Sequence, residues 1–257
     1  MKSRNLLVKI AFIGTRYHGF QIQKNAVTVQ AVFQDALRRV LGGLPDIKGC
    51  SRTDAGVHAR EYCLSFRTCS EIVNDRMRDA LNFHLPRDIR VMSVSEAPDE
   101  FHARYSCLSK RYRYLVVNSR VMDPFYEGLA LQFVPHIDSR ELHSAAQRFV
   151  GAHDFLPFSG CRRGAEDTVR EVFEVSVTRE NDVVCLLFTA DGFLYNMARV
   201  MTGTLLSVAR GALVPEDIDA AFASGERKTG CFTAPAGGLY LDKVYYEYEA
   251  GEKTEGP

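Results

Sequence analysis

Apolar and polar positions alternate along this chain in a way that changes period several times. Residues 6–14, 61–67 and 89–94 are short apolar runs rich in β-branched and aromatic side chains, bounded by polar or turn-forming residues, and read as strands. Residues 29–41 and 71–82 space their apolar positions three and four apart, which is one face of a helix. The second part opens with an alternating strand at 110–117 and a helix at 139–150. A strand pair follows at 171–178 and 183–190, joined by the turn-like stretch 179–182. A helix is predicted over 194–210 and a shorter one over 215–223, whose leading Pro215 suits a first helical turn. Residues 243–249 read as a last strand.

Strands joined in part by hairpins and interleaved with helices point to an α+β fold, with an antiparallel or mixed sheet and helices on one face. The elements divide into two halves, 1–103 and 104–257, with a seam near residues 98–104, and no internal sequence repeat is visible. In the strand KRYRYLVV, Tyr112 and Tyr114 share one face while Arg111 and Arg113 share the other. Aromatic and basic residues on an open sheet face make a common RNA platform. The plainer alternative is a half-buried edge strand with its arginines in solvent.

Composition narrows the class. With 257 residues, 46% of them hydrophobic and 25% charged, the chain has ample material for a packed core and belongs with ordinary globular proteins. No apolar run reaches membrane-spanning length. The basic, then apolar, start MKSRNLLVKIAFIG resembles a signal peptide for a few residues, but Lys9 interrupts it, so a strand and a cytoplasmic protein are expected. Seven cysteines form no CxxC pair and no zinc-type cluster, so neither a metal nor another cofactor is expected, and reduced thiols fit that compartment.

The formal charge of +0 argues by itself against a nucleic-acid partner. Its distribution argues the other way. Residues 1–34 hold five Lys or Arg and no acid, and so do residues 101–122, so a local phosphate-attracting face is possible.

The stretch GCSRTDAGVHAR, residues 49–60, raises the question of chemistry. Asp54 followed by Gly56 is ordinary turn material. His58 is a candidate general base, although a single histidine near a loop is more often a structural hydrogen-bonding residue. Asp54 is the stronger candidate, since a carboxylate flanked by Arg52 stays ionised and oriented and can act as a nucleophile.

SRTDAGVHA resembles the active-site motif of the TruA family of tRNA pseudouridine synthases. The resemblance continues in order through YHGFQIQ, TVQAVFQDAL, FHARYSCLSKRYRYLV, GAHDFLPFS, TVREV, FLYNMARVMTG and APAGGLYL, across nearly the whole chain. It implies two similar α/β halves forming an extended antiparallel sheet with an RNA-binding cleft between them, and a homodimer acting on tRNA, usually at uridines 38 to 40. It also assigns residues. Asp54 matches the catalytic aspartate, Arg52 the arginine just before it, Tyr112 the tyrosine that stacks on the target base, Arg199 the arginine paired with the catalytic carboxylate, and Leu239 the apolar lining of the uracil pocket. Lys110 and Arg111 are expected to contact the RNA. Residue types alone would make Arg199 a solvated helix arginine and Leu239 a core residue. Ser51 departs from the family's usual glycine, a tolerable change unless the loop needs positive φ there. Two rival readings are an RNA-binding module without turnover and a carboxylate-dependent hydrolase of small nucleosides.

Overall fold

The computed structural model describes residues 3–162 and 164–247. In chain order the regular elements begin with β1 (Arg4–Phe12), α1 (Val29–Leu41), β2 (Lys48–Gly49), β3 (His58–Thr68), α2 (Asn74–His84), β4 (Ile89–Ala97) and β5 (Cys107–Val117). They continue with β6 (Leu131–Gln132), α3 (Ser139–Ala146), β7 (Gly151–Asp154), β8 (Val169–Glu180), β9 (Val183–Ala190), α4 (Met197–Ala209), α5 (Glu216–Ser224) and β10 (Leu239–Tyr246). The fold is α+β and its strand pairs are mainly antiparallel, as the residue pattern predicts. The one parallel pair described is β5 with β6.

Two compact units divide the chain. The first comprises residues 1–108 together with 241–257, the second residues 109–240. The seam therefore falls a few residues later than the sequence pattern suggests, and the last strand returns to the first unit. The reason is pairing, since in the first unit the strands run in the order β4-β1-β3-β10 and β10 lies beside β3. The Val244 N–H donates to the Glu61 carboxylate at 3.3 Å across that pair. β1 is antiparallel to both β3 and β4, with a register shift between Ile10 and Phe12 opposite Tyr62 and Ala59. Such a bulge re-aims the strand beside it, and here that strand has just left the Asp54 loop.

Helix α1 begins where the Thr28 hydroxyl accepts the Ala31 N–H and ends at Gly42, whose φ of +72° suits glycine. Its buried face of Val29, Phe33, Ala36 and Leu37 joins Met77 and Leu81 of α2 in the core of this unit. The second unit orders its strands β5-β9-β8-β7. β8 and β9 form the predicted hairpin, turned at Asn181 with φ +53°, and α3 packs on β8. Phe149, Phe155 and Phe158 are almost fully buried and meet Phe222 of α5 edge to face, filling the interior beside α4. The short strands β2, β6 and β7 escape the sequence pattern because two to four residues cannot display a period. Residues 248 and 249 of the expected last strand lie outside the described residues; what is described of it begins earlier, at Leu239.

Candidate active site

Residues 50–57 leave the sheet after β2 and return to it at β3, so the protein must hold eight residues of loop without a ladder. It does so mostly through the backbone. The Cys50 N–H donates to the Cys63 carbonyl at 2.9 Å, and the fully buried Tyr62 donates its hydroxyl to the Ser51 carbonyl at 2.5 Å. Phe20 stacks on the Tyr62 ring at 4.0 Å and fixes that phenol in turn. At the far end the Asp54 carbonyl accepts the Val57 N–H at 3.2 Å, closing a turn with Gly56 at φ +80° in its third position, where a type II turn needs glycine. The Gly56 N–H donates to the Tyr17 carbonyl at 3.1 Å.

Two other glycines let residues 14–20 press against this loop. A Cβ on Gly19, whose φ is +79°, would lie 2.1 Å from the Thr53 carbonyl oxygen, and one on Gly14 would lie 1.9 Å from the Val57 oxygen. No side chain fits in either place. Tyr17 is tied down by its hydroxyl, which donates to the Asp88 carboxylate at 2.7 Å. Burial and that anionic neighbour together push its phenol pKa up. Asp54 itself is half-buried, Arg52 is exposed, and the Thr53 hydroxyl oxygen is buried without a partner. Ser51 does not adopt positive φ, so serine replaces glycine there without strain. His58 is fully buried and its Nδ1 accepts the Gly14 N–H at 2.9 Å. It cannot meet a substrate as a general base and is the hydrogen-bonding residue that its type suggests.

The second unit holds the other site residues. Tyr112 on β5 is 6% exposed and meets Phe193 edge to face at 4.7 Å. The alternation in β5 is as predicted, but its consequence is corrected: the tyrosine face is the buried one, because the aromatic rings remove more apolar surface from water than the arginine stems would. Tyr112 and Tyr114 therefore do not lie on an open sheet face. Tyr114 donates its hydroxyl to the Pro235 carbonyl at 2.8 Å, and its ring lies where a Cβ on Gly238 would stand 2.6 Å away. This contact fixes the short turn Ala236–Gly238, which leads into Leu239, a residue only 5% exposed at the start of β10. Lys110 and Arg111 are half-exposed.

Arg199 is not the solvated helix arginine that residue type suggests. Its Nε donates to the Ala234 carbonyl at 2.7 Å and its Nη1 to the Asn196 side-chain oxygen at 2.8 Å. Asn196 stands before α4 at φ +59°, a left-handed conformation that asparagine tolerates better than most residues. A Cβ on Gly203 would lie 1.9 Å from the Phe232 oxygen, so that glycine lets the segment carrying Ala234 approach the helix. Residue-by-residue reading missed Asn196, Phe193 and the paired glycines Gly14 and Gly19. Their signal is present in FLYN, FIGT and YHGF, but nothing local says what those residues touch.

The basic stretches are partly neutralised by folding. Arg4 pairs with Glu96 at 3.1 Å, Lys9 with Glu61 at 3.1 Å and Arg16 with Asp88 at 3.4 Å, all within the first unit. Segregation along the chain thus does not carry over whole to the surface. Among the described residues no group of three His, Cys, Asp or Glu side chains could hold a metal ion, and no helix is long and apolar enough to cross a membrane.

Comparison with known proteins shows the family. A family model described as tRNA pseudouridine synthase matches residues 9–106 and 145–247. The tRNA pseudouridine synthase A of Ruminiclostridium cellulolyticum is 42% identical over 244 residues, covering 95% of this chain and all of the relative. That of Acetivibrio thermocellus is 41% identical with the same coverage, and that of Staphylococcus aureus is 40% identical over 94% of this chain and 92% of the relative.

Proposed function

Because the chain belongs to the tRNA pseudouridine synthase family and is an isomerase, we propose that Asp54 is the carboxylate that converts uridine to pseudouridine in the anticodon stem-loop of tRNA. The observation that carries this reading is the Asp54–Val57 turn, whose backbone is held by Tyr17 and pressed by Gly19, so that a carboxylate sits on a fixed rather than a mobile loop. Preorganisation of this kind is what a reacting group needs.

In the reaction the bond from the ribose C1′ to N1 of uracil breaks, the base turns, C1′ bonds to C5, and the C5 proton leaves as N1 gains one. Composition does not change, so the conversion needs neither an oxidant nor phosphate energy. A carboxylate can serve by attacking C1′, by adding to C6 of the base, or by assisting a glycal route. The uridine must leave its stack first, at a cost of a few kcal/mol. Arg52, exposed beside Asp54, is suited to contacting the RNA backbone or filling the vacated space. Tyr112 and Leu239 are the proposed contacts to the uracil, Arg199 keeps the role its position has in the family, and Lys110 and Arg111 meet phosphates. The family likeness supports a cytoplasmic homodimer that needs no cofactor.

Asp54→Asn tests the reading. It keeps size and hydrogen bonding but loses the nucleophile, so it should fold and bind tRNA while turnover falls roughly 10³-fold or more. Pseudouridine formation within about tenfold of the parent ends the assignment.

A further inference from the structure

We infer that His58 is a positioning residue for Asp54, holding the catalytic turn in place by accepting the Gly14 N–H, and this rests on Asp54 being the catalytic carboxylate. His58 is the first residue of β3, directly after the turn, and is fully buried. Accepting at Nδ1 requires a lone pair there, so the ring bonds Gly14 only as the neutral tautomer with its proton on Nε2. The 2.9 Å bond closes a circuit within the first unit. Gly14 meets the Val57 backbone, Gly56 donates to Tyr17, Tyr17 donates to Asp88, and Ile13 donates its N–H to the Asp88 carbonyl at 2.9 Å. Every member of the circuit except Tyr17, His58 and Asp88 contributes backbone only.

This makes His58 the side chain that ties Gly14 directly to the strand end following the turn. Losing the acceptor leaves a buried N–H unpaired, which structures avoid. The nearest way to satisfy that group is for the strand end to shift, and Val57 and Asp54 move with it. A displacement of about 1 Å at a reacting group costs roughly 10²-fold in rate. Substrate affinity depends mainly on phosphate contacts and should hardly change. The predicted signature is therefore a fall in kcat with KM nearly unchanged.

The test compares His58→Asn, His58→Gln and His58→Leu in the full chain, with Asp54→Asn assayed beside them. Asparagine places an amide oxygen where Nδ1 stood, whereas glutamine carries its amide near the Nε2 position. The expected result is that Asn keeps kcat within about fivefold of the parent while Gln and Leu fall roughly 10²-fold, with KM for tRNA within about threefold and faster amide exchange in residues 50–57 for Gln and Leu. Parental kcat in Gln and Leu with Asp54→Asn inactive overturns the positioning role alone. Equal losses in Asn and Gln that track their melting temperatures also overturn it, leaving His58 as a core residue. Near-parental turnover by Asp54→Asn removes the catalytic assignment and this inference with it. If Leu fails to fold, the contrast between Asn and Gln decides.

Discussion

The turn that carries Asp54 and the helix that carries Arg199 hold these candidate side chains by opposite means. Around Asp54 the backbone is shaped by the absence of side chains, with Gly14 and Gly19 allowing contacts that a single Cβ would break and Gly56 supplying the positive φ. Around Arg199 the side chain itself is gripped, by the Ala234 carbonyl at 2.7 Å and the Asn196 oxygen at 2.8 Å. The difference follows from what each element lacks. A loop between two strands has no internal hydrogen-bond ladder, so its shape must come from close backbone approach. A helix has its ladder already and needs only to aim a long, flexible side chain, which costs rotamer entropy unless partners hold it. The first region should therefore be intolerant of added atoms, and the second of removed ones.

After Asp54→Asn, Tyr112→Phe gives the largest expected effect, and it asks with one atom whether removal is as costly on β5, in the same unit as Arg199. The ring remains, so tRNA affinity should stay near the parent, while any part of the phenol in moving the C5 proton is lost. Turnover should fall by about 10³-fold. Tyr112→Leu should lose turnover too, with at most a modest further drop in binding, since a stacked ring contributes roughly 1–3 kcal/mol. Single-turnover pseudouridine assays and filter binding separate the two. Parental turnover by Tyr112→Phe but not by Tyr112→Leu would leave the ring alone as the functional part.

Adding one methyl group tests the first half. Gly19→Ala must relieve a 2.1 Å contact with the Thr53 oxygen and also bear positive φ, so kcat should fall roughly 10²-fold with a stability loss of about 1–3 kcal/mol. Gly42→Ala is the control, with a φ of +72° but nothing within 4 Å of the added Cβ. It should lose about 1–2 kcal/mol to strain and leave kcat alone. Equal kinetic effects from the two would show that backbone strain, not contact with the Asp54 turn, is responsible.

Asn196→Gly sharpens the comparison at smaller scale. Glycine suits the φ of +59°, so the substitution removes the bond to Arg199 without straining the backbone. A loss of about tenfold in kcat is expected, in line with a charge-assisted bond of roughly 1.5–3 kcal/mol that the Ala234 contact only partly replaces. Unchanged kinetics would mean that the bond to Asn196 is not needed to aim the guanidinium.

The smallest expected effect concerns binding rather than turnover. Replacing Lys110 and Arg111 together by alanine should weaken tRNA affinity and reduce the slope of log affinity against log salt by about two at most. An unchanged slope would put the phosphate contacts elsewhere on the surface.

Much of this molecule was determined by local sequence. The periods of 29–41, 110–117 and 183–190 specify their elements because burial of one face rewards a 3.6- or 2-residue repeat wherever it occurs. Asp-x-Gly is by itself ordinary turn chemistry, and Asp54 stood out as a candidate because a carboxylate flanked by Arg52 stays ionised and oriented and because its motif resembles that of a known family. What only the tertiary structure decided is what touches what at long separation. The Gly19 contact with Thr53 spans 34 residues and the Arg199 bond to Ala234 spans 35, while the Tyr114 bond to Pro235 spans 121. It also decided that the tyrosines of β5 face inward and that Arg4, Lys9 and Arg16 find acidic partners. Periodicity reports which face of an element is apolar. It carries no information about the surface that face will meet, because that depends on chain segments whose approach is set by the packing of the whole.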